Sequence, residues 1–117
     1  MGLVWVEAVV RNPDTGRRVA AKALVDTGAA LTVVPRRIAE ELQLPTTGRR
    51  RVATAKGTTE LDEHVGVVEV MGRRAYTHIL ASDDIDVVLI GATTLETLGL
   101  EADPAAGKLK EAATYLL

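Results

Sequence analysis

The residues best suited to chemistry lie in two short segments, Leu24-Val25-Asp26-Thr27-Gly28-Ala29 and Val88-Leu89-Ile90-Gly91-Ala92. Each is an aliphatic run that stops at Gly-Ala, and only the first holds a carboxylate. An ionisable group placed straight after an apolar strand is costly to keep unless another group pairs with it or uses it. Asp26 has that setting. One such Asp in a chain of 117 residues reads as half of an active site, the other half coming from a second chain.

Asp-Thr-Gly occurs twice, and the neighbours separate the copies. Asp14-Thr15-Gly16 follows Asn12-Pro13 and precedes Arg17-Arg18, so it reads as a polar turn in which glycine supplies positive φ. Asp26-Thr27-Gly28 is led in by Ala23-Leu24-Val25 and led out by Leu31-Thr32-Val33-Val34, so its acid stands on buried backbone. Gly28 lets main chain approach the carboxylate and donate N–H bonds to it. Thr27 offers a hydroxyl that can tie the loop to a neighbour, and Ala29 keeps the floor small.

The elements that must position these groups are mostly strands. Residues 4–10 and 17–25 read as a hairpin around the turn-rich 11–16 stretch. A short apolar stretch, 31–34, precedes Pro35, which suits a first helical position, and Ile38, Ala39 and Leu42 give 36–42 a helical stripe. Leu44-Pro45 ends that helix. Residues 50–55 and 58–70 read as strands joined tightly through Lys56-Gly57, with further strands at 73–81 and 85–90. Residues 92–98 read as a short helix with Gly99 as its left-handed cap, and 101–108 as a turn feeding a last strand over 109–115. Strand, Gly-Ala and helix thus recur, ending Glu41-Leu42-Gln43-Leu44 in one copy and Thr97-Leu98-Gly99-Leu100 in the other, which implies an internal pseudo-twofold.

On these motifs the chain resembles a known family. Val25-Asp26-Thr27-Gly28-Ala29 followed by Thr32-Val33 is similar to the active-site motif of retropepsin-like (clan AA) aspartic proteases, and Val88-Leu89-Ile90-Gly91 to that family's second signature. Order and spacing match over nearly the whole chain. The resemblance implies an all-β fold, a closed or partly open half-barrel with one or two short helices, as a single domain over residues 1–117. It also implies a homodimer in which two copies of Asp26 face each other, with Thr27 bonding across the dimer and Gly28 meeting substrate backbone. Asp26, Thr27 and Gly28 are the expected catalytic residues; Ala29, Lys56, Gly57, Val87 and Leu89 are the expected substrate contacts. The 54–59 segment falls where the family has its flap, and its residues alone fit an ordinary surface hairpin equally. Val87 and Leu89 fit a cleft wall or plain core packing.

The chain also departs from the viral members, as a non-viral type would. These carry acidic residues after the Ala of the first motif and Arg after the Gly of the second; here Ala30-Leu31 and Ala92-Thr93 stand there. Both partners of a supporting ion pair are absent together, so neither charge is stranded. The C-terminal segment is longer than in viral enzymes, so dimerisation is expected to be built differently.

Composition excludes other chemistries. There is no cysteine, hence no disulfide, thiolate nucleophile or zinc–thiolate site. With no Phe, one Trp and two Tyr, the core must be aliphatic. Apolar residues make up 47%, which suits a globular chain. The formal charge of −2 sets up no field for a polyanion, and the arginine clusters at 36–37, 49–51 and 73–74 lack stacking aromatics, so no nucleic-acid partner is expected. No apolar run approaches the ~18 residues of a membrane span, and the first residues read as neither signal peptide nor myristoylation site. A cytoplasmic protein without cofactor or metal is expected. His64 and His78 lie on separate predicted strands, Asp83, Asp84 and Asp86 lack calcium-loop spacing, and Ser82 has no nearby base.

The expected function is an aspartic endopeptidase acting on peptides or unfolded protein. The alternative is a catalytically weak or inactive dimerisation or peptide-binding module on the same fold; a self-processing domain of a larger polyprotein is a third reading.

Overall fold

A computed structural model describes residues 2–114 and 116. Its first hairpin pairs β1 (Trp5–Arg11) with β2 (Arg18–Val25), from Trp5 opposite Leu24 to Arg11 opposite Arg18. Asn12 shapes the turn: its Oδ1 accepts the N–H groups of Asp14 and Thr15 at 2.7 and 3.2 Å. The Asn12 amide is buried and donates to the Leu42 and Gln43 carbonyls at 2.8 and 3.0 Å. One side chain thereby joins the hairpin turn to the end of a helix and leaves no buried polar atom unpaired.

After β2 a loop leads into β3 (Thr32–Pro35) and α1 (Arg36–Leu42), which buries Ile38, Ala39 and Leu42 and is capped by Gln43 at φ 50°. The long hairpin follows, β4 (Thr46–Thr54) and β5 (Gly57–Val70), turning through Ala55-Lys56. Next come β6 (Arg73–Ser82), β7 (Val88–Ile90) and α2 (Ala92–Leu98) with Gly99 in the left-handed cap. A separate hairpin, β8 (Leu100–Asp103) with β9 (Lys108–Glu111), completes the described elements. Tyr115, included in the expected last strand, lies outside the described residues.

The main sheet runs β1-β2-β7-β3-β6-β5-β4, and β5 pairs again with β1 through Val9–Glu69, Val10–Val68 and Arg11–Val67. That pairing closes six strands into a barrel and leaves β4 outside it. At the seam the Arg11 guanidinium meets Glu69 at 2.8 Å, and Arg74 reaches the same carboxylate at 2.8 Å. Inside are Val10, Val34, Val68, Ile79, Val88 and Ile90, none above 0% exposed. Branched aliphatics fill most of this interior, with Ala8, Ala23, Ala75 and Ala81 between them, and strand backbone favours the β-branched ones. Mostly β with two short helices, the architecture is the expected retropepsin-like barrel. No helix of the described residues is long and apolar enough to cross a membrane.

Several boundaries differ from the sequence reading; the last strand, for one, is Lys108–Glu111 and does not continue through 112–114. Thr32–Pro35 is a full strand, flanked by β7 and β6, where sequence showed only an apolar stretch. β4 starts at Thr46 rather than Arg50, across an irregularity at Gly48 with φ +137°. β7 spans only Val88–Ile90, because Ile85 to Val87 pass through bends before joining the sheet. Leu100–Asp103 forms a strand although it carries Glu101 and Asp103, because it pairs only with β9 and needs one apolar face.

Candidate active site

The two Gly-Ala segments lie side by side because β2 and β7 run parallel, with Leu24 beside Leu89 and Val25 beside Ile90. Both strands stop at the same level. Asp26 N–H then donates to the Ile90 carbonyl at 2.9 Å, while Ala92 and Thr93 donate to the Ala29 and Ala30 carbonyls at 2.8 and 3.0 Å. The repeat is thus a physical pairing, with β3 inserted before the helix in the first copy only.

Asp26 is half-buried at the end of β2. Its Oδ1 accepts the Gly28 N–H at 3.1 Å, and its carbonyl accepts the Ala29 N–H at 3.1 Å. These bonds curl the loop around the carboxylate and hold it at the strand end. Thr27 and Gly28 are exposed, and the Thr27 hydroxyl has no hydrogen-bond partner among the described residues. A Cβ on Gly28 would stand 3.4 Å from Asp26 Oδ1, ordinary contact, so packing within the chain does not require glycine there.

Gly91 is under the opposite constraint. A Cβ there would lie 2.5 Å from both the carbonyl carbon and the oxygen of Leu31, so no side chain fits. The Gly91 N–H donates to Thr32 Oγ1 at 3.2 Å, and that hydroxyl meets Thr94 Oγ1 at 2.6 Å. Both threonines are fully buried. The two loops are thus bound together by a hydroxyl pair and main-chain bonds rather than by charge. A buried neutral pair avoids the desolvation cost of buried charges. Sequence reasoning missed Thr94; the available signal was a hydroxyl on the apolar stripe beside Leu95 and Leu98.

A cavity of about 790 Å³ opens beside the Asp26 loop. Gly28, Ala29, Ala30 and Leu31 form its floor, and the β4–β5 hairpin covers it with Arg50 to Lys56. Leu80, Ser82 and Ile85 make the far wall. Of the expected substrate contacts, Ala29 and Lys56 line this space. Gly57, at φ +117° just after the hairpin turn, lies outside its lining. Val87 and Leu89 also lie outside it; both are half-buried, and Leu89 pairs with Leu24 and Val33 within the sheet.

The base of the hairpin is pinned by charge. Buried Glu63 takes the Arg50 guanidinium, the Thr47 hydroxyl at 2.9 Å and His78 Nδ1 at 2.8 Å. The Arg50 hydrogen bond, helped by Thr47, holds the Glu63 carboxyl below its ordinary value despite burial. Asp62 is lowered likewise, chiefly by Arg36, whose Nη1 stands 2.6 Å away while its Nε reaches Asp83 at 2.7 Å. These pairs fasten the hairpin root to β6 and α1, and among the described residues no side-chain bond ties the stretch from Arg51 to Lys56 to the barrel.

His64 and His78 sit on neighbouring strands, opposite Ile79 and Val65 respectively, and so face opposite sides. His64 bonds the Leu44 carbonyl at 3.2 Å. Among the described residues, no group of three or more side chains is placed to hold a metal ion.

Comparison with known proteins supplies the rest. The family model of gag-polyprotein putative aspartyl proteases matches residues 15–97, well over half of the chain. The solution structure of Simian Foamy Virus (mac) protease is similar at 26% identity and a TM-score of 0.57, covering 78% of this chain and 90% of that one. A foamy viral protease-reverse transcriptase in complex with an RNA/DNA hybrid shares the fold at 22% identity and a TM-score of 0.60. There the match covers 80% of this chain and 11% of the longer one. No curated protein sequence matches the chain. The Asp26 loop, its paired Gly91 segment and the barrel that carries them accordingly place this chain in the gag-polyprotein aspartyl protease family of retropepsin-like fold.

Proposed function

We propose that the protein is an aspartic endopeptidase acting as a homodimer, with one Asp26 from each chain. The observation that carries this is the carboxylate at a strand end, held by the Gly28 N–H, in a loop whose next residues, Gly28 to Leu31, line a cavity covered by a hairpin; Asp26 itself lies outside that lining. Two carboxylates about 3 Å apart cannot both ionise, so the pair holds one proton. The ionised member acts as general base on a water bound between them, and the protonated member polarises the scissile carbonyl. As water adds to the carbonyl carbon, its proton passes to the base; proton transfer to the amide nitrogen then releases the amine product. The pair titrates as a unit, so activity follows a bell-shaped pH profile.

The unpartnered Thr27 hydroxyl is available to bond the other chain, and exposed Gly28 to meet substrate main chain. The hairpin tip excludes water over an extended peptide. A cytoplasmic setting, consistent with a chain that folds without cysteine, belongs to the same proposal.

The test is cleavage of unfolded protein or a peptide library by wild type and by Asp26→Asn. Loss of cleavage in the variant, with the fold intact, supports the assignment; cleavage that survives moves the activity elsewhere. A second reading, a peptide-binding module with little turnover, draws on Ala30-Leu31 and Ala92-Thr93 standing where viral enzymes have charges. Peptide binding by a wild type that hydrolyses nothing would favour it.

A further inference from the structure

Charge is unevenly distributed around the cavity. Along β4, Arg49 faces Glu60 and Asp62, at 3.4 Å from each. Arg50 is held by Glu63. Arg51 is left over: its cross-strand neighbour is Glu60, which Arg49 already occupies. Among the described residues neither Arg51 nor Lys56 has a carboxylate partner, both are exposed, and both line the cavity. Asp84, on the far wall, is the single carboxylate of the lining among the described residues. Two uncompensated cations therefore sit on the hairpin above a floor of glycine, alanine and leucine.

A cationic roof over a small, apolar floor fits one class of ligand. An extended peptide can lay small or aliphatic side chains on the floor and raise a carboxylate to the roof. A nucleic acid would want aromatic platforms, and among the described residues no aromatic side chain lines the cavity. We infer that the cleft selects peptides presenting an acidic side chain beneath the hairpin, against Arg51 and Lys56, between small or aliphatic neighbours. This deepens the peptidase reading and rests on the same cleft. Arg51 and Lys56 determine specificity; they take no part in the chemical step.

Binding is the direct test, because it needs no turnover. Fluorescein-labelled peptides of about ten alanine, valine and leucine residues, with a central Glu pair or a central Lys pair, are titrated against the full Asp26→Asn chain at low salt. The acidic peptide should bind about fivefold to tenfold more tightly, since each exposed pair contributes modestly. Salt at about 0.5 M should close the gap. The double charge reversal Arg51→Glu, Lys56→Glu should invert the preference without changing the circular dichroism spectrum. Equal binding, no binding of either peptide, a preference that survives the reversal, or tighter binding of a thymidine decamer would each overturn the inference. Wild-type kcat/KM on the same peptides separates the two readings. Selective binding without cleavage would remove the peptidase and keep the specificity, whereas cleavage indifferent to charge would do the reverse.

Discussion

The same tripeptide, Asp-Thr-Gly, stands at residues 14–16 and 26–28, and the chain uses the two copies for different ends. At the first, Asn12 caps the turn, Gly16 takes φ +76°, and a Cβ there would meet nothing within 4 Å. Glycine is present there for its backbone angle. At the second, no positive φ is needed and an alanine would pack, yet the carboxylate is gripped by main chain at the end of a strand shared with the core. Packing within the chain does not require glycine there, and under the proposed function it leaves room for substrate main chain. Backbone support and burial, supplied by residues several positions away, separate the two acids, and only Asp26 has the setting that the proposed chemistry needs.

The comparison can be broken most sharply at the acids. Asp26→Asn should lower peptide cleavage by about 10³-fold or more while Asp14→Asn leaves it within twofold, by initial rates on one fluorogenic peptide. Equal losses would dissolve the distinction. A second probe concerns the loop that braces Asp26. Gly91→Ala must push a methyl group into the Leu31 main chain, so it should destabilise by about 3 kcal/mol, seen as a lower urea midpoint.

The glycines themselves give a crossed test. Gly16→Ala should cost about 1 kcal/mol of stability through its left-handed backbone and leave activity unchanged. Gly28→Ala should cost less than about 0.5 kcal/mol and reduce cleavage about tenfold by crowding the substrate backbone. The smallest effect is at the hairpin root. Arg50 lowers the Glu63 carboxyl, so its contribution is full above the ordinary carboxylate range, about pH 4–5, and fades as pH falls through the depressed value. Glu63→Gln should therefore lower stability by about 1 kcal/mol at pH 7, with the difference from wild type shrinking toward pH 3 in thermal melts.

Much of this architecture was legible in the residues. The polar cluster at 12–16, the Lys56-Gly57 pair and Gly72 bounded the hairpins, and the stripe of Ile38, Ala39 and Leu42 marked α1. Asp26 and Gly91 stood out because each interrupts an aliphatic run without a turn signature. Strand order was not legible, because pairing β2 with β7 joins residues far apart through contacts that leave no local pattern. The cavity walls were hidden for the same reason. Leu80, Ile85 and Arg51 converge from β6, the loop that follows it and β4, while Val87 and Leu89, which alternate as a cleft wall would, lie outside the lining. Thr32 and Thr94 were readable as polar residues in apolar surroundings, but only their 2.6 Å separation shows them to be a pair.

The central claim, that Asp26 works only beside its twin, is tested most directly by dilution. Specific activity and solution mass are measured together over a wide range of protein concentration. Turnover per chain should fall in step with the fraction of protein at twice 12.4 kDa. A species of single-chain mass that cleaves with the same specific activity at every dilution would contradict the claim.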